Sequence, residues 1–157
     1  TNSRRFRIRT DDGEEIVALA NSREHLLEVC DIVLRLLAAS VVESVILGSV
    51  GGVLINAPTL AYLMGQCQSL KVLRLDRVAL DESHCHVLGA YSRPGLEIEL
   101  EYCRIAGTAA AVLGQVLVRN QGPTKLDSCE IDNSVLANGL RGNSRLKSLT
   151  LHLAGSL

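Results

Sequence analysis

Apolar side chains recur through the second half of the chain at the first, third, sixth and eighth positions of a short segment. The clearest copy is Leu73-Arg74-Leu75-Asp76-Arg77-Val78-Ala79-Leu80. The next is Ile98-Glu99-Leu100-Glu101-Tyr102-Cys103-Arg104-Ile105, and a third is Thr124-Lys125-Leu126-Asp127-Ser128-Cys129-Glu130-Ile131. Leu149-Thr150-Leu151 opens a fourth, and successive copies start 25, 26 and 25 residues apart. Of the twelve signature positions in the complete copies, only Thr124 is not Leu, Ile, Val or Cys, whereas a composition 47% hydrophobic would fill about six by chance. First and third positions share one face of a strand because strand side chains alternate. The sixth and eighth continue inward as the chain turns. Helical patterns follow the copies at Asp81 to Tyr91, Ala106 to Val118 and Asn133 to Leu140. In the second, Ala109, Val112, Leu113, Val116 and Leu117 form one helical face.

One strand and one helix cannot bury their own apolar faces, so a fixed period of this length predicts stacked units with a shared core. Val45-Ile46-Leu47-Gly48-Ser49-Val50, 28 residues before the first clear copy, fits the same opening. The expected array covers 42–157, with a looser first unit and an incomplete last one. Residues 1–41 do not repeat. Phe6, Ile8, Val17 and Leu19 are expected on one face of a hairpin turning at Asp12-Gly13, with Arg5, Arg7 and Arg9 on the other. Asn21-Ser22-Arg23-Glu24 reads as a helix start, and Leu26, Leu27, Val29, Cys30, Val33, Leu34 and Leu37 as that helix's apolar face. A hairpin and helix there would cap the array.

The spacing of these segments resembles the leucine-rich repeat family, in its ribonuclease-inhibitor-like branch. Cys67-Gln68-Ser69-Leu70-Lys71-Val72-Leu73-Arg74-Leu75 is similar to the cysteine-containing subtype common in F-box-associated substrate receptors. Cys103 and Cys129, three residues after the second strand leucine, match it too, while Val78 takes that place in the best-conforming unit and Leu96 sits one place late. The resemblance spans about 42–157. It implies an α/β solenoid with a strand and helix per repeat, and, by analogy alone, a tie to ubiquitin ligases. No F-box pattern is evident in the first forty residues.

Composition narrows the function classes. The 16 Lys plus Arg nearly cancel 17 Asp plus Glu, so no global field favours nucleic acid or an anionic membrane. Aromatics make up 3% and Trp is absent, which argues against base-stacking platforms. Five cysteines (Cys30, Cys67, Cys85, Cys103 and Cys129), an odd number without CxxC spacing, are expected to be reduced, in an intracellular and cytoplasmic setting. At Cys103 and Cys129 the expected role is a small buried side chain donating weakly at the strand-to-helix turn. The chain begins at Thr1 without a signal-peptide pattern and stops soon after Leu149-Thr150-Leu151, so it is expected to belong to something larger. No charge occurs from Ser44 through Leu70, and Gly48 and Gly52 have GxxxG spacing. This stretch nevertheless carries four glycines, Asn56, Pro58, Gln66 and Gln68 in phase with the repeats, so no membrane insertion is expected.

Candidate chemistry is sparse. His84 and His86 of His84-Cys85-His86 diverge on a helix and have no second ligand pair, so no metal is expected; Cys85 should face the core and both histidines the convex surface. Gly48-Ser49-Val50-Gly51-Gly52 follows a strand but fits neither dinucleotide-binding nor Walker spacing. Glu97, Glu99 and Glu101 share an open strand face rather than forming an acid–base pair. No cofactor or catalytic residue is assigned.

The residues between the leucines should line the concave sheet face: Arg74, Glu99, Lys125 and Thr150 in one column, and Asp76, Glu101, Asp127 and His152 in the next. Val72, Glu97, Pro123 and Ser148 precede them, and Arg77, Tyr102 and Ser128 lie at the edge. An acidic bias fits either simple solubility or docking of a protein with basic residues, with Tyr102 and Arg74 as anchors. The leading expectation is a non-catalytic protein–protein interaction scaffold. The alternatives are a substrate-recognition part of a ubiquitin-ligase component, a small α/β nucleotide-binding or enzyme domain using the glycine loop, and a structural segment that self-associates through its open C-terminal repeat.

Overall fold

The computed structural model describes residues 4–9, 15–20, 41–48, 55–119, 124–141 and 149–152. The expected N-terminal helix, the Asp12-Gly13 turn, most of the Gly48–Gly52 loop, Pro123 and Ser148 lie outside them. The described residues form an α/β structure with parallel sheets. Five strands, β3 (Ser44–Gly48), β4 (Val72–Asp76), β6 (Glu97–Glu101), β8 (Thr124–Asp127) and β10 (Leu149–His152), pair in chain order as one open sheet. The two-residue strands β5 (Ala79–Leu80), β7 (Arg104–Ile105) and β9 (Glu130–Ile131) make a second ladder. The helices are α1 (Ala57–Gln66), α2 (Glu82–Ala90), α3 (Gly107–Arg119) and α4 (Asn133–Leu140).

The register reproduces the sequence period. Val45 pairs with Leu73, Leu73 with Ile98, Ile98 with Thr124 and Thr124 with Leu149. Backbone bonds carry the same offset past the strand ends: Lys71 N–H donates to Glu43 O at 2.7 Å, Glu97 N–H to Lys71 O at 2.7 Å, and Arg104 N–H to Val78 O at 3.1 Å. The signature residues lie between sheet and helices. Leu73, Leu75, Val78, Leu80, Ile98, Leu100, Cys103, Ile105, Thr124 and Leu126 are all buried. Burying a leucine contributes roughly 1.5–3 kcal/mol. One strand presents only a few such residues, so no unit offsets its ordering entropy alone and adjacent units must share a core. Of the face expected on α3, Ala109, Leu113 and Leu117 are buried, Val112 and Val116 are half-buried, and Ala110 joins them.

Local signals fix the helix ends. Asn56 Oδ1 accepts from Thr59 N–H at 2.8 Å to start α1. Asp132 Oδ1 accepts from Ser134 N–H at 2.9 Å and Val135 N–H at 3.2 Å to start α4. Each bond satisfies an amide that the first helical turn leaves without a partner. The end of α1 is closed by the following unit: Arg93 donates to the carbonyls of Met64 at 3.0 Å, Cys67 at 2.7 Å and Leu70 at 3.2 Å.

The strands β1 (Arg4–Arg9) and β2 (Glu15–Ala20) pair antiparallel, as the hairpin reading expected, but one residue out of its phase. Phe6 pairs with Ala18 and Ile8 with Ile16, which puts Val17 and Leu19 opposite Arg7 and Arg5. Five residues separate the two strands in sequence, and the Asp-Gly signal alone does not set the register between them.

A column of glycines, one per helix, was not recognised in the sequence: Gly65, Gly89, Gly114 and Gly139. A Cβ on Gly114 would stand 2.8 Å from Gly139 Cα and from Leu136 O, and one on Gly139 would stand 2.8 Å from Ala111 O. The α3 and α4 backbones thus touch where side chains would hold them apart. Gly107, at the start of α3, has open space instead. Urea unfolding should show Gly114→Ala and Gly139→Ala each less stable by about 1–3 kcal/mol through overpacking. Gly107→Ala should be neutral or more stable by up to about 1 kcal/mol. Equal tolerance at all three positions would contradict the close helix packing.

Candidate functional site

Parallel pairing stacks registered residues about 4.8 Å apart on one sheet face. The sheet residues expected to line a common face therefore come together. Arg74, Glu99, Lys125 and Thr150 occupy one register row, and Asp76, Glu101, Asp127 and His152 the next. Glu97 pairs with Val72 at the start of the face. The register adds two residues the sequence reading had not placed there, since Ile46 joins the Arg74 row and Gly48 the Asp76 row. Ile46 is exposed.

These charges are largely engaged with one another. Arg74 Nε lies 2.5 Å from Glu99 Oε2 and 3.6 Å from Glu101 Oε1. Lys125 Nζ lies 3.6 Å from Glu101 Oε1 and 3.8 Å from Asp127 Oδ2. The hydrogen bond to Glu99 raises the Arg74 pKa above its ordinary value. Two expectations change. Glu99 is not on an open surface: its side chain is 11% exposed, because Arg74 lies across the gap between β4 and β6. Arg74, expected as an anchor, is itself held by two carboxylates. Counting Arg77, three cations meet five carboxylates (Asp76, Glu97, Glu99, Glu101 and Asp127), which preserves the acidic bias on the described face.

The face ends in a ridge with unusual backbone. Arg77, Tyr102 and Ser128, equivalent positions in three units, have φ of 55°, 50° and 51°. Left-handed backbone costs a non-glycine residue roughly 1–2 kcal/mol. At two of these positions the turned backbone gains a bond to the next strand: Arg77 N–H donates to Glu101 O at 2.9 Å and Tyr102 N–H to Asp127 O at 2.8 Å. The Arg77 guanidinium carbon sits 5.3 Å from the centre of the Tyr102 ring, a cation–π contact. Tyr102 is 56% exposed, the most open aromatic residue on this face.

The remaining candidates resolve separately. His86 is exposed, but His84 is buried, contrary to the expectation of two surface histidines. The first turn of α2 folds the His84 ring inward. Its Nδ1 meets Asp81 Oδ1 at 2.7 Å and its Nε2 meets the Ile55 carbonyl, while Asp81 Oδ1 accepts the His84 N–H at 3.0 Å. Cys85 faces the core as expected, and burial pushes its thiol up to about 12. Cys103 Sγ donates to Leu75 O and Cys129 Sγ to Leu100 O, each at 3.2 Å; Cys103 is buried and Cys129 half-buried. Among the described residues no three His, Cys, Asp or Glu side chains converge as a metal site. An open groove of about 620 Å³ runs beside the helix starts, lined by Asp81, His84, Arg104, Gly107, Glu130 and Asp132 among others. It includes neither a cysteine nor Gly48. No described helix is long and apolar enough to cross a membrane.

No protein-family model matches the chain, and no curated protein matches it.

The ion pairs differ in what their loss should cost. Arg74→Met leaves the largely buried Glu99 carboxylate without its cation, and should destabilise by about 1–3 kcal/mol in urea titration. Lys71→Met breaks a pair with Glu43 whose side chains are 63% and 52% exposed, and should cost less than about 1 kcal/mol. A reversed order would contradict the assignment of Glu99 to a buried pair. The Asp81 pKa is lowered, first by the backbone N–H of His84 and then by its side chain. A lowered carboxyl contributes stability above its unfolded value, near pH 3.9, and loses it as pH falls through the folded value. The stability advantage of the chain over Asp81→Asn should therefore be constant above about pH 5 and shrink in more acidic solution.

Proposed function

We propose that this chain is a non-catalytic protein-docking module, a leucine-rich-repeat-like solenoid whose sheet face meets a protein partner. The observation that carries this reading is the single-residue register of five parallel strands at the sequence period. It aligns Arg74, Glu99 and Lys125, and Asp76, Glu101 and Asp127, as continuous rows on one face. Such a face is preorganised. Arg74, Glu99, Glu101, Lys125 and Asp127 are already paired, so docking would order few of its long side chains and lose little entropy. Tyr102 supports the reading as an exposed aromatic side chain at the rim, a residue type enriched at binding hot spots. The excess of carboxylates favours a partner surface bearing lysine or arginine.

The test is affinity capture with the longest natural form of the protein, comparing two variants whose fold is checked by circular dichroism. The sheet-face variant combines Tyr102→Ala with Asp127→Lys; the helix-side variant is Tyr62→Ala. The proposal expects one partner to be retained by the helix-side variant and weakened at least tenfold by the sheet-face variant, when affinity is measured with that purified partner. A partner lost only from the helix-side variant would place docking on the opposite surface.

A further inference from the structure

We propose that Cys103 and Cys129 are a modification site: an oxidisable dithiol pair that closes to a disulfide across adjacent units when hydrogen peroxide is the oxidant. Register supplies the proximity. Arg104 pairs with Glu130, and the Glu130 N–H donates to the Cys103 carbonyl at 2.8 Å, so the residues just before β7 and β9 are Cys103 and Cys129. Adjacent strands lie about 4.8 Å apart, inside the roughly 4.4–6.8 Å range of Cα separations that a disulfide spans. Both thiols take the same orientation, each donating to the preceding strand at Leu75 O or Leu100 O.

The two sulfurs are not equivalent. Cys129 is half-buried, whereas Cys67, Cys85 and Cys103 are buried. The contact with the Cys103 thiol lowers the Cys129 pKa, while the same contact, together with burial, raises that of Cys103. Cys129 is thus the attacking sulfur and Cys103 the resolving one. The Cys129 thiolate attacks one peroxide oxygen. The O–O bond breaks, hydroxide leaves, and Cys129 becomes a sulfenic acid. The Cys103 sulfur then attacks the Cys129 sulfur, the S–O bond breaks, and the hydroxyl leaves as water with the Cys103 proton. Overall two thiols lose two electrons and two protons, and one peroxide becomes two waters. Because Tyr102 and Ser128 immediately precede the two cysteines, the bond would lock together two neighbouring residues of the ridge.

The test is peptide mapping by mass spectrometry, without reductant, of the folded chain exposed to a small excess of peroxide. The expected product is a Cys103–Cys129 linked peptide, with the intact mass lower by two hydrogens and reversed by dithiothreitol. Cys129→Ser should abolish the linked peptide. Cys103→Ala should leave a Cys129 sulfenic acid that dimedone traps. Recovery of Cys129 in the unmodified chain as a free thiol or an unlinked sulfinic acid would overturn the proposal, as would linkage to other cysteines as often as to Cys103. The mapping of the unmodified chain decides the question even if a variant fails to fold.

Discussion

The lateral pairing of neighbouring units is the constraint on which the other features depend. A unit offers a short strand and, where all of it is described, a two-residue second strand and a helix of 8 to 13 residues. None of these is stable alone in water. Stability comes from the next unit, through backbone bonds at an offset of one period and through a core in which strand residues such as Leu73 and Ile98 meet helix residues such as Leu88 and Leu113. The end of α1 (Ala57–Gln66) follows the same logic, since Arg93 of the following unit donates to the carbonyls of Met64 in its last turn, of Cys67 at its cap and of Leu70 beyond it.

That lateral constraint explains the face proposed to carry function. A side chain between two leucines has its equivalent about 4.8 Å away on the next strand, so a charge in one unit is in reach of the same position in the next. Arg74 accordingly pairs with Glu99 rather than with a residue near it in sequence. The acid-rich face is a ladder in which cations and carboxylates hold one another in place, with a carboxylate excess beside the exposed Tyr102. The left-handed residues Arg77 and Tyr102 belong to the same lateral system, because their turned amides bond to the following strand.

Much of this arrangement was legible in the chain, for physical reasons. Leu73, Leu75, Val78 and Leu80 announced strand, turn and core because burial favours the same side-chain class at the same place in each complete copy, Thr124 excepted. The helix at Asn133–Leu140 matched its expected bounds because Asp132 is a strong capping residue. Other features left no local trace. Arg77, Tyr102 and Ser128 carry left-handed backbone without the usual Gly or Asn. The glycines of the helix column act through a neighbour about 25 residues away, so each looks unremarkable within its own helix. Close packing at these glycines is therefore less visible in the chain than burial of leucine, and the inward turn of His84 depends on the Ile55 carbonyl, 29 residues earlier.

The stacked register is tested most directly by through-hydrogen-bond scalar couplings in isotope-labelled protein. Couplings are predicted from the Arg77 amide to the Glu101 carbonyl and from the Tyr102 amide to the Asp127 carbonyl, with slow hydrogen exchange at both amides. Fast exchange at these two amides, or couplings only to residues within the same unit, would contradict the account.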